Sequence, residues 1–391
     1  MADKSNIEWT DATWQPITGC SVVSPGCTNC YAMRLAGTRL RNHPSRVGLT
    51  TMSKAGPVWN GEVRFNEEWL AQPLGWKKPR RIFVCAHGDL FHESVPDEWI
   101  DKVFAVMALA PHHTFQVLTK RSRRMRDYVA TARNRIVKIT RDGHQNVSVA
   151  TSKSYTSSTA IGGDVCVWPL PNVWLGVSTE DQQRADERIP DLLATPAVVR
   201  WISAEPLLGP IDLECVGSLS SICSAMPNVI EREQRGRPAS GNGSICGAQI
   251  DAIGSPGSSI TFFQTPDHMG GFVAGSPRRW PRLDWVVVGG ESGPGARSMH
   301  PYWARGLRDQ CRAANVPFLF KQWGSWAPST PDDARSNPRS GWQAIKGHPC
   351  VARAADLYPE AGAAFVTHVG KKAAGRLLDG AQHNGFPEAR A

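Results

Sequence analysis

The sequence predicts an α/β fold, a full or partial (β/α) barrel of parallel strands with irregular insertions, and three observations carry that expectation. Short apolar runs rich in Val, Ile, Phe and Trp recur along the 391 residues. Most are followed by a stretch with helical periodicity. Nearly every run ends in a polar or chargeable residue. Such alternation calls for right-handed crossovers between parallel strands, in either a barrel or an open doubly wound sheet.

Taken in order, Ile7 to Thr18 is Trp-rich, and Pro16-Ile17-Thr18 is expected to end the first strand just before Cys20. Tyr31 to Leu40 has the spacing of a first helix. Residues 42–79, with Pro44, Pro57, Pro73 and Pro79, read as irregular. Arg81 to Ala86 is a buried parallel strand running into the polar loop His87 to Glu93, and Pro96 to Leu109 is amphipathic and helical. Thr114 to Thr119 is a third strand, followed by a basic helix over Arg121 to Arg135. Asn172 to Ser178, Ala197 to Ser203, Leu283 to Val288 and Val316 to Phe320 complete seven strands. Helices are expected through Leu193 and from Pro301 to Ala314. Residues 136–171 and the Ser, Gly and Pro-rich 215–280 read as insertions, 325–360 as irregular, and Val366 to Gly380 as a short basic helix carrying Lys371, Lys372 and Arg376. The resulting division is a barrel over 1–330, interrupted by the two insertions, and a C-terminal extension over 331–391.

Composition narrows the function. The chain carries 44 Lys and Arg against 35 Asp and Glu, a net charge of +9, which favours anionic partners and nucleic acid first among them. Fifteen Trp residues would suit stacking on flat bases, although core packing accounts for Trp equally well. No apolar run reaches the ~20 residues of a membrane span. Ten Cys in a chain with a polar start predict a cytoplasmic protein with reduced thiols.

The stretch with the most chemistry is Gly19 to Ala32. Cys20, Cys27 and Cys30 stand in a C-x6-C-x2-C spacing on a loop turned by Gly19, Pro25 and Gly26. Three thiolates suit a soft metal centre and leave one ligand position short of a closed tetrahedral site. A structural zinc that recruits Cys85, His43 or His87 is the plain alternative. A second metal site from Cys215, Cys223 and Cys246 lacks any C-x2-C pair. If the chain is a barrel, its chemistry collects at the carboxyl ends of the strands, where Cys20, Asp89, Lys120, Ser178, Glu180, Glu205, Glu291, Lys321 and Gln322 stand. Some residues at such positions are always helix caps or solvated loop groups.

A three-cysteine loop after a first strand, its last Cys followed by the aromatic Tyr31, resembles the cluster loop of radical S-adenosylmethionine enzymes, whose commonest spacing is C-x3-C-x2-C. The phrases IEWTDATWQPITGC, DLFHE, FQVLTKR, WLGVSTEDQ, ISAEPLLGPIDL, VVVGGESGPGAR, FKQWG and VGKKAAGRLLDG together resemble the phage and prophage three-cysteine-motif proteins. That resemblance spans the chain apart from 130–170 and 215–280. It implies that Cys20, Cys27 and Cys30 hold a [4Fe-4S] cluster and that S-adenosylmethionine chelates the fourth iron. Gly289-Gly290-Glu291 looks like the Gly-Gly-Glu signature that meets the methionine ammonium, although here it follows the sixth strand; Asp89, after the second, is its rival. Ser178 and Glu180 are candidates for the ribose hydroxyls, and Glu205 for cosubstrate or substrate. Lys120, Arg121, Lys321 and Arg297 are candidates for a carboxylate or phosphate, with Lys120, Glu205 and Lys321 placed in the catalytic set. The expected partners are a nucleic acid, nucleotide or base as substrate, a reductant such as flavodoxin or ferredoxin, and a partner protein encoded nearby. Two other readings stay open: a nucleic-acid-binding protein with a purely structural zinc or cluster, and a barrel hydrolase using Asp89, Glu205 and Glu291 with a divalent metal.

Overall fold

Seven strands, β1 (Ala12–Trp14), β2 (Arg81–Val84), β3 (Thr114–Thr119), β4 (Val173–Ser178), β5 (Val199–Ala204), β6 (Trp285–Gly289) and β7 (Phe318–Gln322), form one parallel sheet in chain order. The order never reverses, as it would in a doubly wound sheet, and β1 and β7 are its edges, so the topology is that of a partial (β/α) barrel. The computed structural model describes residues 5–146, 167–217, 245–249, 252, 261–264, 281–332, 339–346 and 359–388. Helices α1 (Tyr31–Gly37), α2 (Asp97–Leu109), α3 (Ser122–Asn146), α4 (Gln182–Ala194) and α5 (Pro301–Ala313) follow strands β1, β2, β3, β4 and β6. All six residues of β4 and all five of β6 are buried, which is why these strands read as unbroken apolar runs instead of alternating ones.

By its internal contacts the chain divides into two compact units. One comprises Met1–Gly176, Thr195–Val199 and Ala389–Ala391; the other comprises Val177–Ala194 and Arg200–Glu388. In the first, Trp14, Ile82, Val84, Phe115 and Val117 are buried along β1 to β3. Met125, Tyr128, Val129, Ala132 and Ile136 are buried at helical spacing along α3, and Tyr128 meets Phe91 and Phe104 ring to ring. In the second unit, Trp201 meets Trp285 in a tilted ring pair at 5.2 Å, and Trp285 meets Phe386 likewise at 5.1 Å. The backbone of the C-terminal segment lies along the free edge of β7, with Phe320 N donating to His383 O and Gly385 N to Phe318 O. Backbone groups that an edge strand would leave open are thereby paired.

Several local expectations differ from the structure. The first sheet strand ends at Trp14, not at Thr18: Pro16 has no N–H to continue the ladder, and Ile17–Thr18 pairs antiparallel with Arg64–Phe65 instead. Residues 42–79 contain the hairpin Thr50–Ser53 with Gly56–Trp59, turned through Gly56 at φ +113°. The basic helix after β3 runs to Asn146, past Arg135. Trp326–Pro328, Ser340–Gln343 and Ala364–His368 make a three-stranded antiparallel sheet where irregular chain was expected. The basic tail helix is one turn, α6 (Lys371–Ala374), bounded by Gly370 and Gly375 at positive φ. Most of the 136–171 and 215–280 insertions lies outside the described residues, as does Cys223; within 215–280 an antiparallel hairpin joins Ile245–Gln249 to Thr261–Gln264. No helix of the described residues is long and apolar enough to cross a membrane.

Candidate functional site

The cysteine loop leaves β1 and is fixed to the loop after β2 by backbone contact. Gly19 N donates to His87 O, and Gly19 and Gly88 form a parallel bridge. Gly19 sits at φ +97°, and a Cβ there would lie 2.2 Å from Glu62 O. Only glycine fits both the conformation and the approach. Beyond it, Pro25–Cys27 is a turn of 3-10 helix, and Cys30 precedes the first residue of α1. The Tyr31 hydroxyl donates to Ala86 O at 2.6 Å, tying the start of α1 to the same β2 loop.

Cys20, Cys27 and Cys30 are all free thiols, Cys27 buried and the other two half-buried. Cys20 and Cys30 pack against one apolar cluster of Ala32, Met33, Ala36, Leu49 and Trp59. Burial, and then the negative charge of Asp89, push the Cys20 thiol up to about 12, with Arg121 opposing. Among the described residues no group of three His, Cys, Asp or Glu side chains is drawn together as the ligands of a metal ion would be. The ligands of an iron–sulfur cluster are spread over several irons and stand further apart than those of a single ion.

Asp89, Lys120 and Arg121 follow β2 and β3, and Asp89 and Arg121 stand beside Cys20. Asp89 Oδ1 accepts from Phe91 N at 3.0 Å and Thr119 Oγ1 at 2.7 Å; Oδ2 accepts from Lys120 N and Arg121 Nη1, each at 3.1 Å. Those four bonds fill the acceptor positions of a carboxylate. Arg121 also donates to Cys20 Sγ at 3.3 Å, to Ser21 Oγ at 2.7 Å and to Glu93. Burial works against its charge, but Asp89, Cys20 and Glu93 outweigh it and hold the guanidinium more firmly protonated than in water. His92 Nε2 lies 3.0 Å from the same Ser21 hydroxyl. The Lys120 ammonium has no hydrogen-bond or ion-pair partner among the described residues.

The second unit holds the remaining candidates as three separate ion pairs. Lys321 Nζ donates to both oxygens of Glu205, at 2.7 and 2.9 Å. Gly289 allows this, since a Cβ there would stand 3.2 Å from the Glu205 carboxyl carbon. Glu291 is buried and takes a fork from Arg297, with Nε at 2.9 Å and the Arg297 backbone N at 2.8 Å on the same Oε2. Glu180, 1% exposed, pairs with Arg188 Nη1 at 3.0 Å, and the same nitrogen donates to Ser178 O at 2.8 Å. Gly290 is close-packed: a Cβ would fall 1.9 Å from Trp323 O, and its N–H donates to Gln322 O. The Gly-Gly of Gly289-Gly290-Glu291 thus has a packing reason of its own.

Arg121, Arg297 and Lys321, singled out for an anionic ligand, each face an acid of the protein. Asp89, Glu205 and Glu291, the hydrolase set, likewise each carry their own cation. Sequence reasoning missed Ser21, Glu93 and Arg188. Arg188 lies eight residues beyond Glu180 in the following helix, a separation that gives no pairing signal until strand and helix are docked.

The family model described as "Protein of unknown function (DUF5131)" matches residues 4–387. No curated protein and no solved structure matches the chain.

Proposed function

We propose, for a chain that belongs to the DUF5131 family, that it is a radical S-adenosylmethionine enzyme whose Cys20, Cys27 and Cys30 hold a [4Fe-4S] cluster. One observation carries the reading: three unbridged thiols share a loop pinned behind parallel strands, and the first of them receives a buried guanidinium. Fit is also chemical, because three free thiols on one loop are the donor set a [4Fe-4S] cluster takes, one short of the four of a fully ligated cube. When bound, the cluster supplies one electron to the sulfonium of S-adenosylmethionine, giving methionine and the 5'-deoxyadenosyl radical that takes hydrogen from the substrate.

The chain's own groups bind and orient. Lys120, its ammonium unpaired among the described residues, is the candidate for a carboxylate or phosphate. Glu205 and Lys321, half-buried and doubly bonded, form a pair that holds or moves a proton at Nζ. Glu291, Glu180 and Ser178 act through the arginines that hold them. The net charge of +9 and the likeness to phage and prophage proteins support a nucleic acid, nucleotide or base as substrate.

Anaerobic reconstitution with iron and sulfide, then reduction in the presence of S-adenosylmethionine, tests the proposal. The expected result is about four irons per chain and 5'-deoxyadenosine from the wild type. Cys20→Ala, Cys27→Ala and Cys30→Ala are expected to give none. One zinc per chain with no iron uptake would overturn it in favour of a structural site, and so would 5'-deoxyadenosine from Cys30→Ala.

A further inference from the structure

Arg121 has five N–H groups, and all of them are used within the first unit. Nε faces both oxygens of Glu93, at 3.3 and 3.4 Å. Nη1 divides between Asp89 Oδ2 at 3.1 Å and Cys20 Sγ at 3.3 Å. Nη2 divides between Ser21 Oγ at 2.7 Å and Ser21 O at 3.3 Å. Three of the five donors therefore point at Cys20 and Ser21. The side chain is 4% exposed, so these donors are turned toward the protein and not toward solvent. Asp89 in turn is saturated by bonds that orient it toward Arg121. An ion pair serving stability alone needs only the Asp89 contact; sharing Nη1 with a sulfur is a separate feature.

We infer that Arg121 is a positioning residue that sets the electronics of whatever Cys20 ligates, an inference resting on the reading of Cys20 as a cluster ligand. A charge-assisted N–H donated to a ligand sulfur withdraws negative charge from it and favours the state with one more electron. Arg121 thus raises the reduction potential of the group held by Cys20. Reduction adds one electron from an external reductant, and no bond of the protein is made or broken. Ser21 holds the other arm of the fork, which aims Nη1 at the neighbouring sulfur.

The test is a redox titration with dithionite, followed by electron paramagnetic resonance, on full-length reconstituted protein. It compares the wild type with Arg121→Lys, and Asp89→Asn alone with the double variant Arg121→Met, Asp89→Asn, which strands neither charge of the buried pair. At a fixed poise the oxidised-to-reduced ratio is expected to rise at least tenfold in the double variant relative to Asp89→Asn alone, a comparison that isolates the Arg121 donor, about 59 mV for one electron. A shift of the same sign is expected in Arg121→Lys, whose three-donor ammonium cannot reproduce the five-donor fork to Glu93, Asp89, Cys20 and both Ser21 oxygens. A variant that keeps the wild-type circular dichroism yet loses its iron makes Arg121 a structural holder of the sulfur and overturns the electronic role. If the wild type loads iron and neither variant moves the ratio more than twofold, Arg121 has no such role while the functional reading stands. If the wild type takes up no iron, both fall.

Discussion

His87 shows how a single ring is committed by its neighbours. Its Nδ1 lies 2.9 Å from Arg46 Nη2 and accepts that N–H only as the neutral imidazole. Burial, with the Arg46 charge adding to it, lowers the group from 6.5 to about 4. Between those values the unfolded chain binds a proton that the folded chain refuses. Stability is therefore lost as pH falls from about 6.5 toward 4. His87→Gln, which does not titrate, is expected to flatten the dependence of the urea midpoint on pH across that window; an unchanged slope would refute this. The sequence placed His87 only as a spare zinc ligand. Asp89 repeats the lesson: its position after the second strand was legible, but its four hydrogen bonds were not, because their donors come from Phe91, Thr119, Lys120 and Arg121.

At the scale of elements, α2 and α3 pack as a pair whose buried polar hinge is Asp101. It accepts from the Tyr128 hydroxyl at 2.6 Å and from Arg135 Nε at 2.9 Å. Burial, and then the bond to Asp101, raise the Tyr128 hydroxyl above its ordinary value. Asp101→Ala leaves that hydroxyl and a guanidinium short of an acceptor, and is expected to cost about 3 kcal/mol by urea denaturation. Arg135→Gln, at a position 38% exposed, should cost about 1 kcal/mol or less. Periodicity exposed both helices, since apolar residues at i, i+3 and i+4 survive in any helix that buries one face. It did not find the end of α3: Ile136, Val137 and Ile139 continue the apolar residues past Arg135, but Thr140 to Asn146 are polar or Gly and carry no stripe to mark where the helix stops. The hairpin over 50–59 and the sheet formed by 326–328, 340–343 and 364–368 were missed for a related reason: their strands are short and partly exposed, so alternation is weak.

For the whole molecule, the excess of nine positive charges predicts salt-sensitive attraction to polyanions. Retention of a single-stranded oligonucleotide at 50 mM salt is expected to fall steeply by 200 mM, with a slope of about −0.7 for each phosphate contact. Binding that ignores salt would exclude a charge-led encounter. Sequence alone determined six of the seven strands, the parallel sense of the sheet and the three-cysteine spacing, because chain-local patterns of burial and turn chemistry encode those features, while the first strand was placed too far along, at Pro16 to Thr18. The tertiary structure alone decided which acid meets which base: Arg121 with Asp89, Arg188 with Glu180, Arg297 with Glu291, Lys321 with Glu205. Such pairings depend on distances across the folded chain, up to 116 residues apart for Lys321 and Glu205, and no linear pattern records them.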